Sequence, residues 1–159
     1  MNRRTFIGFI PSTALLTVAS AQTPPRGTYQ VERKSTTDTA EAVTVQIASG
    51  SARTARMTGA TVYCSVEAEV TVERDGAAAT ATPLTVLKMN SEDATASATA
   101  YHSSDVGAAN RTTARHIVAA GGTILLDLSP HILLAGENIT IRTAHASGTV
   151  IINVQWTEY

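Results

Sequence analysis

The strict alternation of side-chain type between Val62 and Glu73 constrains the fold more than any other feature of the chain. Valine, cysteine and alanine occupy the even positions, and mostly glutamate, serine and threonine occupy the odd ones. Successive side chains of a β-strand point to opposite faces, whereas a helix would spread both sets around its circumference. The pattern therefore predicts one long strand with a buried face and a solvated face, closed by a tight turn at Arg74-Asp75-Gly76.

Shorter segments of the same kind predict further strands, at residues 29–33, 42–48, 84–89, 96–102, 114–119 and 123–128. Near the C-terminus, residues 139–143 and 150–157 alternate on either side of the turn signal Ser147-Gly148, which predicts a β-hairpin with Trp156 packed inward. Turn residues recur along the whole chain, and no segment has a sustained helical stripe. The sequence thus predicts an all-β protein, a single β-sandwich with jelly-roll or Greek-key connections.

The composition fits one globular domain and excludes two classes of protein. Hydrophobic residues make up 43% and charged residues 16% of the 159 positions, which excludes intrinsic disorder. The net charge is −1 and the arginines are scattered, so the clustered cations that a nucleic-acid binder needs are missing. Aromatic residues are only 4%, so Val, Ile, Leu and Ala must build the core.

Residues 1–21 have the three parts of a cleavable signal peptide. Arg3 and Arg4 precede an apolar stretch over residues 6–18, and Ala19-Ser20-Ala21 forms a small-residue cleavage site. An apolar stretch of this length is too short for a stable membrane-spanning helix, which needs about 20 residues. We expect cleavage after Ala21 and a periplasmic or secreted product with no stable membrane insertion. Residues 22–27 are then a Pro-rich linker, and residues 28–159 are the β-sandwich domain.

The segment Asn2-Arg3-Arg4-Thr5-Phe6-Ile7 also resembles twin-arginine export signals, which share its two arginines and its phenylalanine. This resemblance implies a protein that crosses the membrane already folded. The alternative is that the two arginines are the ordinary positive start of a general secretory signal.

The single cysteine, Cys64, lies on the valine side of the predicted strand. A free cysteine in such a place behaves as a small hydrophobic residue, so we expect it to be buried. One cysteine cannot form an intrachain disulfide. An interchain disulfide and a catalytic thiol are the alternatives.

The histidines provide no metal-binding or catalytic motif. They lie at positions 102, 116, 131 and 145, and no two have the spacing that places ligands on one strand or helix face. The segment Tyr101-His102-Ser103-Ser104-Asp105 contains Ser, His and Asp, but a catalytic triad is usually assembled from distant segments, and no GxSxG motif is present. We interpret it as a polar loop and predict no catalytic, cofactor-binding or metal-binding residue.

Three acids, Glu67, Glu69 and Glu73, share the polar face of the predicted long strand. We interpret them as a solvated face paired with Arg142 or another arginine. Calcium binding and acid–base catalysis by paired carboxylates are the alternatives.

These features favour an exported, non-enzymatic β-sandwich with a structural or binding role and a protein or glycan ligand. Exposed strand edges also favour self-association into a homo-oligomer. A small secreted hydrolase is the competing interpretation, and it requires His102, Asp105, Glu67 and Glu69 to converge in one pocket.

The ending LLAGENITIRTAHASGTVIINVQWTEY has a Gly-Glu turn, an alternating strand, a glycine turn and a last strand that closes on Trp-Thr-Glu. This ending resembles small β-rich accessory proteins of phage particles. The resemblance implies a virion accessory or decoration protein as an alternative function.

Overall fold

The computed structural model describes residues 27–37, 42–50, 53–75, 82–102, 111–144 and 147–159. These residues form strands and no helix, which confirms the predicted all-β class. The strands are Gly27–Thr37 (β1), Ala42–Ala48 (β2), Ala55–Cys64 (β3), Ala68–Arg74 (β4), Thr82–Leu84 (β5), Leu87–Lys88 (β6), Thr99–His102 (β7), Arg111–Val118 (β8), Gly122–Asp127 (β9), Ile132–Leu133 (β10), Asn138–Ala144 (β11) and Gly148–Glu158 (β12). The predicted signal peptide and residues 22–26 of the predicted linker lie outside the described residues, whereas Gly27 begins β1 and does not end the linker.

The strands form two antiparallel sheets. The first sheet has the order β10-β3-β12-β1-β6, and β9 pairs with β3 beside β10. The second sheet has the order β5-β7-β2-β11-β4-β8. The pairs β1 with β12, β2 with β11, β3 with β9 and β4 with β8 are those of one long hairpin rolled over on itself. This is the jelly-roll order, and β5 to β7 are an insertion at the closed end of the hairpin.

The prediction of one continuous strand over residues 62–73 is wrong, because this segment belongs to two strands. β3 ends at Cys64 in the first sheet, and β4 begins at Ala68 in the second. At the corner between them, the backbone N–H of Thr149 donates to Ser65 Oγ at 2.7 Å. The predicted inward face is nevertheless confirmed, because Val62, Cys64, Ala68 and Val70 are all buried. A strand that changes sheets at a sandwich corner keeps the same face toward the core, so the two-residue period continues through the corner.

The predicted C-terminal hairpin is also wrong. β11 pairs with β2 and β4 in the second sheet, whereas β12 pairs with β1 and β3 in the first. Gly148 begins β12 with φ 115°, and a Cβ there would lie 2.6 Å from Ser65 Oγ. The turn signal at Ser147-Gly148 is therefore a second sandwich corner, packed against the first.

The predicted strand over residues 42–48 is found with the same limits as β2, and the other predicted strands are found with changed limits. Residues 84–89 contain two short strands, β5 and β6, which lie in different sheets. The segment 96–102 is strand only from Thr99. β10 and residues 55–61 of β3 were not predicted.

The core lies between the two sheets and consists mainly of small and branched side chains. Trp156 points inward, as predicted, and its ring centroid lies 5.9 Å from that of Tyr29. Cys64 is fully buried, as predicted, and burial raises the pKa of its thiol. Other fully buried side chains are Val31, Ile47, Met57, Leu128, Leu133, Ile139, Ile141 and Ile152.

Candidate functional site

The groups that a hydrolase would need do not converge among the described residues. His102 lies on β7, on the same side as the buried Ala100, so it faces the interior. Burial and the nearby Arg33 guanidinium lower the pKa of His102. Glu69 lies on the opposite, outer face of the second sheet, and β2 and β11 separate its strand from β7. Asp105 and His145 lie outside the described residues.

The described histidines also form no metal site with other described residues. His116 lies on β8 of the second sheet, where it pairs with Val70 of β4. His131 lies between β9 and β10, which belong to the first sheet. Within the described ranges, no three His, Cys, Asp or Glu side chains come together in a way that could hold a metal ion.

One recess, which we call the edge cleft, opens between the sheets where β5 and β6 end them. Its volume is about 390 Å³. Its walls are mostly apolar and include Tyr29, Leu84, Val86, Ala96 and Tyr101. Pockets of this size and character are typical of small-molecule binding sites.

The insertion that forms one wall of the cleft is tied to the first strand. The backbone N–H of Thr28 donates to Asp93 Oδ2 at 3.0 Å, and the Tyr29 hydroxyl donates to the Ala94 carbonyl at 2.9 Å. The N–H of Met89 donates to the Thr28 carbonyl at 2.8 Å. These bonds fix the loop across the end of the sandwich.

A buried carboxylate ties the same insertion to the last strand. Glu158 is fully buried, and its two oxygens accept hydrogen bonds from the backbone N–H of Ser97 at 2.8 and 3.0 Å. Glu158 Oε1 also accepts from the N–H of Ala98 at 2.8 Å and from the indole N–H of Trp156 at 3.3 Å. A buried charge persists only when it is well hydrogen-bonded, and here two of the donors are backbone N–H groups of the insertion, one of them from Ala98, which lines the cleft.

The cleft carries one cation and no acid–base pair in its described lining. Lys88 pairs with Tyr29 across β6 and β1. Directly opposed residues of antiparallel strands point to the same face, so Lys88 points toward the interior side, at the mouth of the cleft. The cleft can therefore hold an apolar group and offer an ammonium to a polar or anionic end.

A second recess, which we call the polar trough, lies on the outer face of the second sheet. It has a volume of about 210 Å³ and is lined by Glu69, Thr71, Glu73, Arg115, Arg142 and Ala144. β4 supplies the first three, β8 supplies Arg115, and β11 supplies the last two.

The expectation that three glutamates share a solvated face is only partly right. Glu67 and Glu69 are exposed, but the Glu73 side chain is only 7% exposed. The expected pairing is confirmed, with Arg142 Nη1 4.0 Å from Glu73 Oε1 and Arg115 Nη1 3.3 Å from Glu69 Oε1. Sequence patterns did not reveal that the Thr71 hydroxyl donates to Glu73 Oε1 at 3.1 Å, or that Glu73 Oε2 is buried with no hydrogen-bond partner.

The narrow side formed by β8 and β9 exposes two large apolar side chains. Ile117 is 74% exposed and Leu125 is 78% exposed. On this side, β8 is the edge strand of the second sheet, and β9 and β10 together form the edge of the first sheet. In the described part of the chain, no helix is long and apolar enough to span a bilayer.

Comparisons with family models, with curated proteins and with solved structures give no match to this chain. A jelly roll hosts many unrelated functions, so the fold does not define an activity. The features of the described residues that bear on function are therefore the edge cleft, the polar trough and the exposed edge.

Proposed function

We propose that the chain is an exported, non-enzymatic jelly-roll protein that binds a ligand in the edge cleft. The observation that carries the proposal is the cleft itself, an apolar recess of about 390 Å³ with a lysine at its mouth. Apolar walls with one oriented polar group bind and orient a ligand, whereas catalysis needs a nucleophile or an acid–base pair within reach.

The positions of the candidate catalytic groups favour binding over hydrolysis. His102 faces the interior and Glu69 faces outward, so the two cannot act on one substrate together. Export is proposed from residues 1–21 alone, which carry the signal-peptide pattern.

The ligand proposal can be tested with the fluorescent dye 1-anilinonaphthalene-8-sulfonate, which has an apolar ring system and one anionic group. We expect saturable binding to the native protein. Ala96→Phe places a ring in the cleft and should weaken dye binding at least tenfold, whereas Ala135→Phe adds the same ring at an exposed turn and should not. Equal dye affinity in both variants would contradict the assignment of the cleft.

The charge at the mouth can be tested separately with Lys88→Gln. This substitution should weaken binding of the anionic dye but not of the uncharged dye N-phenyl-1-naphthylamine. A loss for both dyes would mean that Lys88 acts through packing rather than charge.

A second proposal is self-association through the side formed by β8 and β9. The exposed Ile117 and Leu125 on neighbouring edge strands support it, because unprotected edges with apolar side chains favour pairing with another chain. Light scattering should then show a species larger than the monomer, and a monomer at all concentrations would refute it.

The virion-accessory alternative rests on the ending that includes Trp156 and Glu158. Both residues are buried and hydrogen-bonded to each other, so the closing Trp-Thr-Glu has a role in folding whatever the function is. The alternative stays a prediction from the sequence.

A further inference from the structure

The lining of the edge cleft changes from buried and apolar at its inner end to exposed and polar at its mouth. Tyr29, Ala98 and Ala100 line the cleft and are at most 3% exposed, so they form the inner end. Lys88 and Thr95 belong to the same lining but are exposed, so they lie toward the mouth. A molecule that fits this gradient has a hydrocarbon part and a polar head.

The inner end of the cleft favours the hydrocarbon part. The side chains of Ala98 and Ala100 carry no polar atom, and the Tyr29 hydroxyl already donates to the Ala94 carbonyl at 2.9 Å. A polar group of a ligand placed against these side chains would lose its hydrogen bonds to water and gain none from them. An apolar tail loses nothing there and gains from leaving water.

The mouth of the cleft favours an anionic head. Lys88 is the charged residue of the described lining, and none of the ion pairs between described residues includes it. Asp93, the acid of the insertion that contacts β1, accepts instead from the backbone N–H of Thr28. The exposed ammonium of Lys88 is therefore accessible to an anion carried by the ligand.

The size of the cleft limits the ligand to one short chain. A volume of about 390 Å³ has room for roughly thirteen groups of the size of a water molecule. A straight-chain carboxylate of about ten to twelve carbon atoms has about this number of non-hydrogen atoms. A lipid with two long acyl chains exceeds the volume, so a free single-chain molecule is the better fit.

We infer that the edge cleft binds a straight-chain aliphatic carboxylate of medium length. Its tail lies against Tyr29, Ala98 and Ala100, and its carboxylate lies beside the Lys88 ammonium. The inference rests on the binding role proposed above for the cleft, and it adds the chemical class of the ligand. Each methylene that enters the cleft should tighten binding about fourfold, until the tail fills the space.

The test is the displacement of N-phenyl-1-naphthylamine from the full chain by the straight-chain carboxylates hexanoate, octanoate, decanoate, dodecanoate and tetradecanoate. Each is used below the concentration at which it forms micelles. Affinity should rise about fourfold per methylene from hexanoate to decanoate. Dodecanoate and tetradecanoate should then differ by less than about twofold, because further methylenes stay in water. Ala96→Phe should weaken decanoate binding at least tenfold.

The role of the charge is tested with the two lysines of the chain. Lys88→Gln should weaken decanoate binding about two- to fivefold, the range of an exposed ion pair, and should leave the binding of uncharged 1-decanol unchanged. Lys34→Gln is the matched control, because it removes the same charge from an exposed position of β1 outside the cleft. It should change neither affinity. Circular dichroism shows that each variant keeps its fold.

Three results would overturn the inference. The first is that no carboxylate displaces the dye although Ala96→Phe still abolishes dye binding, which would leave the binding role of the cleft in place. The second is an affinity that rises without a break to tetradecanoate, since the tail would then lie on an open surface. The third is equal decanoate affinity in the two lysine variants, or binding of decyltrimethylammonium as tight as that of decanoate. If neither the dye nor any carboxylate binds, the proposed function fails as well.

Discussion

Replacing Glu158 tests how strongly one buried carboxylate holds the inserted segment to the sandwich. Its oxygens satisfy the backbone N–H groups of Ser97 and Ala98 and the indole of Trp156. Hydrogen bonds to charged groups contribute about 1.5–3 kcal/mol each. Losing the two backbone bonds in Glu158→Ala should therefore lower the free energy of unfolding by about 3–6 kcal/mol. That loss is a large part of the 5–15 kcal/mol typical of a whole domain, so this variant is expected to fold poorly.

Glu158→Gln is the variant to measure. It keeps one oxygen for Ala98 and Trp156, but its amide group replaces the oxygen that accepts from Ser97 at 2.8 Å. We expect a loss of about 1–3 kcal/mol, which corresponds to a melting temperature lower by roughly 3–9 °C. Urea unfolding measures the free energy, and hydrogen exchange should show faster exchange of the Ser97 and Ala98 amides.

The matched control is Glu32→Gln on the exposed face of β1, which should change stability by less than about 0.5 kcal/mol. If Glu158→Gln falls within this same range, the carboxylate does not hold the insertion and the reasoning is refuted.

Three further predictions concern the buried thiol, the corner at Gly148 and the exposed edge strands. Burial and the raised pKa of the Cys64 thiol mean that a thiol reagent should react far more slowly with the native protein than in urea, and equal rates would contradict the buried assignment. Gly148→Ala should lower the melting temperature more than Gly121→Ala, because both glycines have positive φ but only Gly148 also lacks room for a Cβ, and equal losses in thermal unfolding would show that the corner adjusts. The double substitution of Ile117 and Leu125 by Thr should shift light scattering toward the monomer, whereas an unchanged mass would place any interface elsewhere.

The inward face could be predicted from sequence for residues 62–73 and 150–157 because alternation is local. Val62, Cys64, Val70 and Trp156 are buried where the two-residue period places them. The two-residue period shows which side chains face the core, and it is the same whichever of the two sheets the strand joins.

The sheet to which each strand belongs could not be predicted. The corners at Ser65 and Gly148 change the sheet without breaking the inward and outward pattern, so one strand and two strands look alike in sequence. Ser147-Gly148 is a turn signal for a hairpin and for a corner equally. Only the pairing of strands distant in sequence resolves the jelly roll.

The candidate sites were still less predictable. Glu73 looked like one member of a solvated acidic face, but it is buried, with the Thr71 hydroxyl hydrogen-bonded to it and Arg142 close by. That burial depends on which strands flank β4, which the sequence does not state. The edge cleft depends on the insertion formed by β5 to β7, whose short strands carry weak patterns of their own.

The anchor at Glu158 connects the stability of the fold to the edge cleft. The strands β5 to β7 extend both sheets past the jelly-roll core, and the segment that joins β6 to β7 supplies Ala96 to the cleft wall. Glu158 binds the next two residues of that segment, Ser97 and Ala98, so the last strand of the chain sets the position of the wall. If this coupling holds, Glu158→Gln should weaken dye binding in the cleft at temperatures where the rest of the sandwich is fully folded. A variant that loses stability but keeps the affinity of the wild type would show that Tyr29 and Asp93 are sufficient to hold the wall in place.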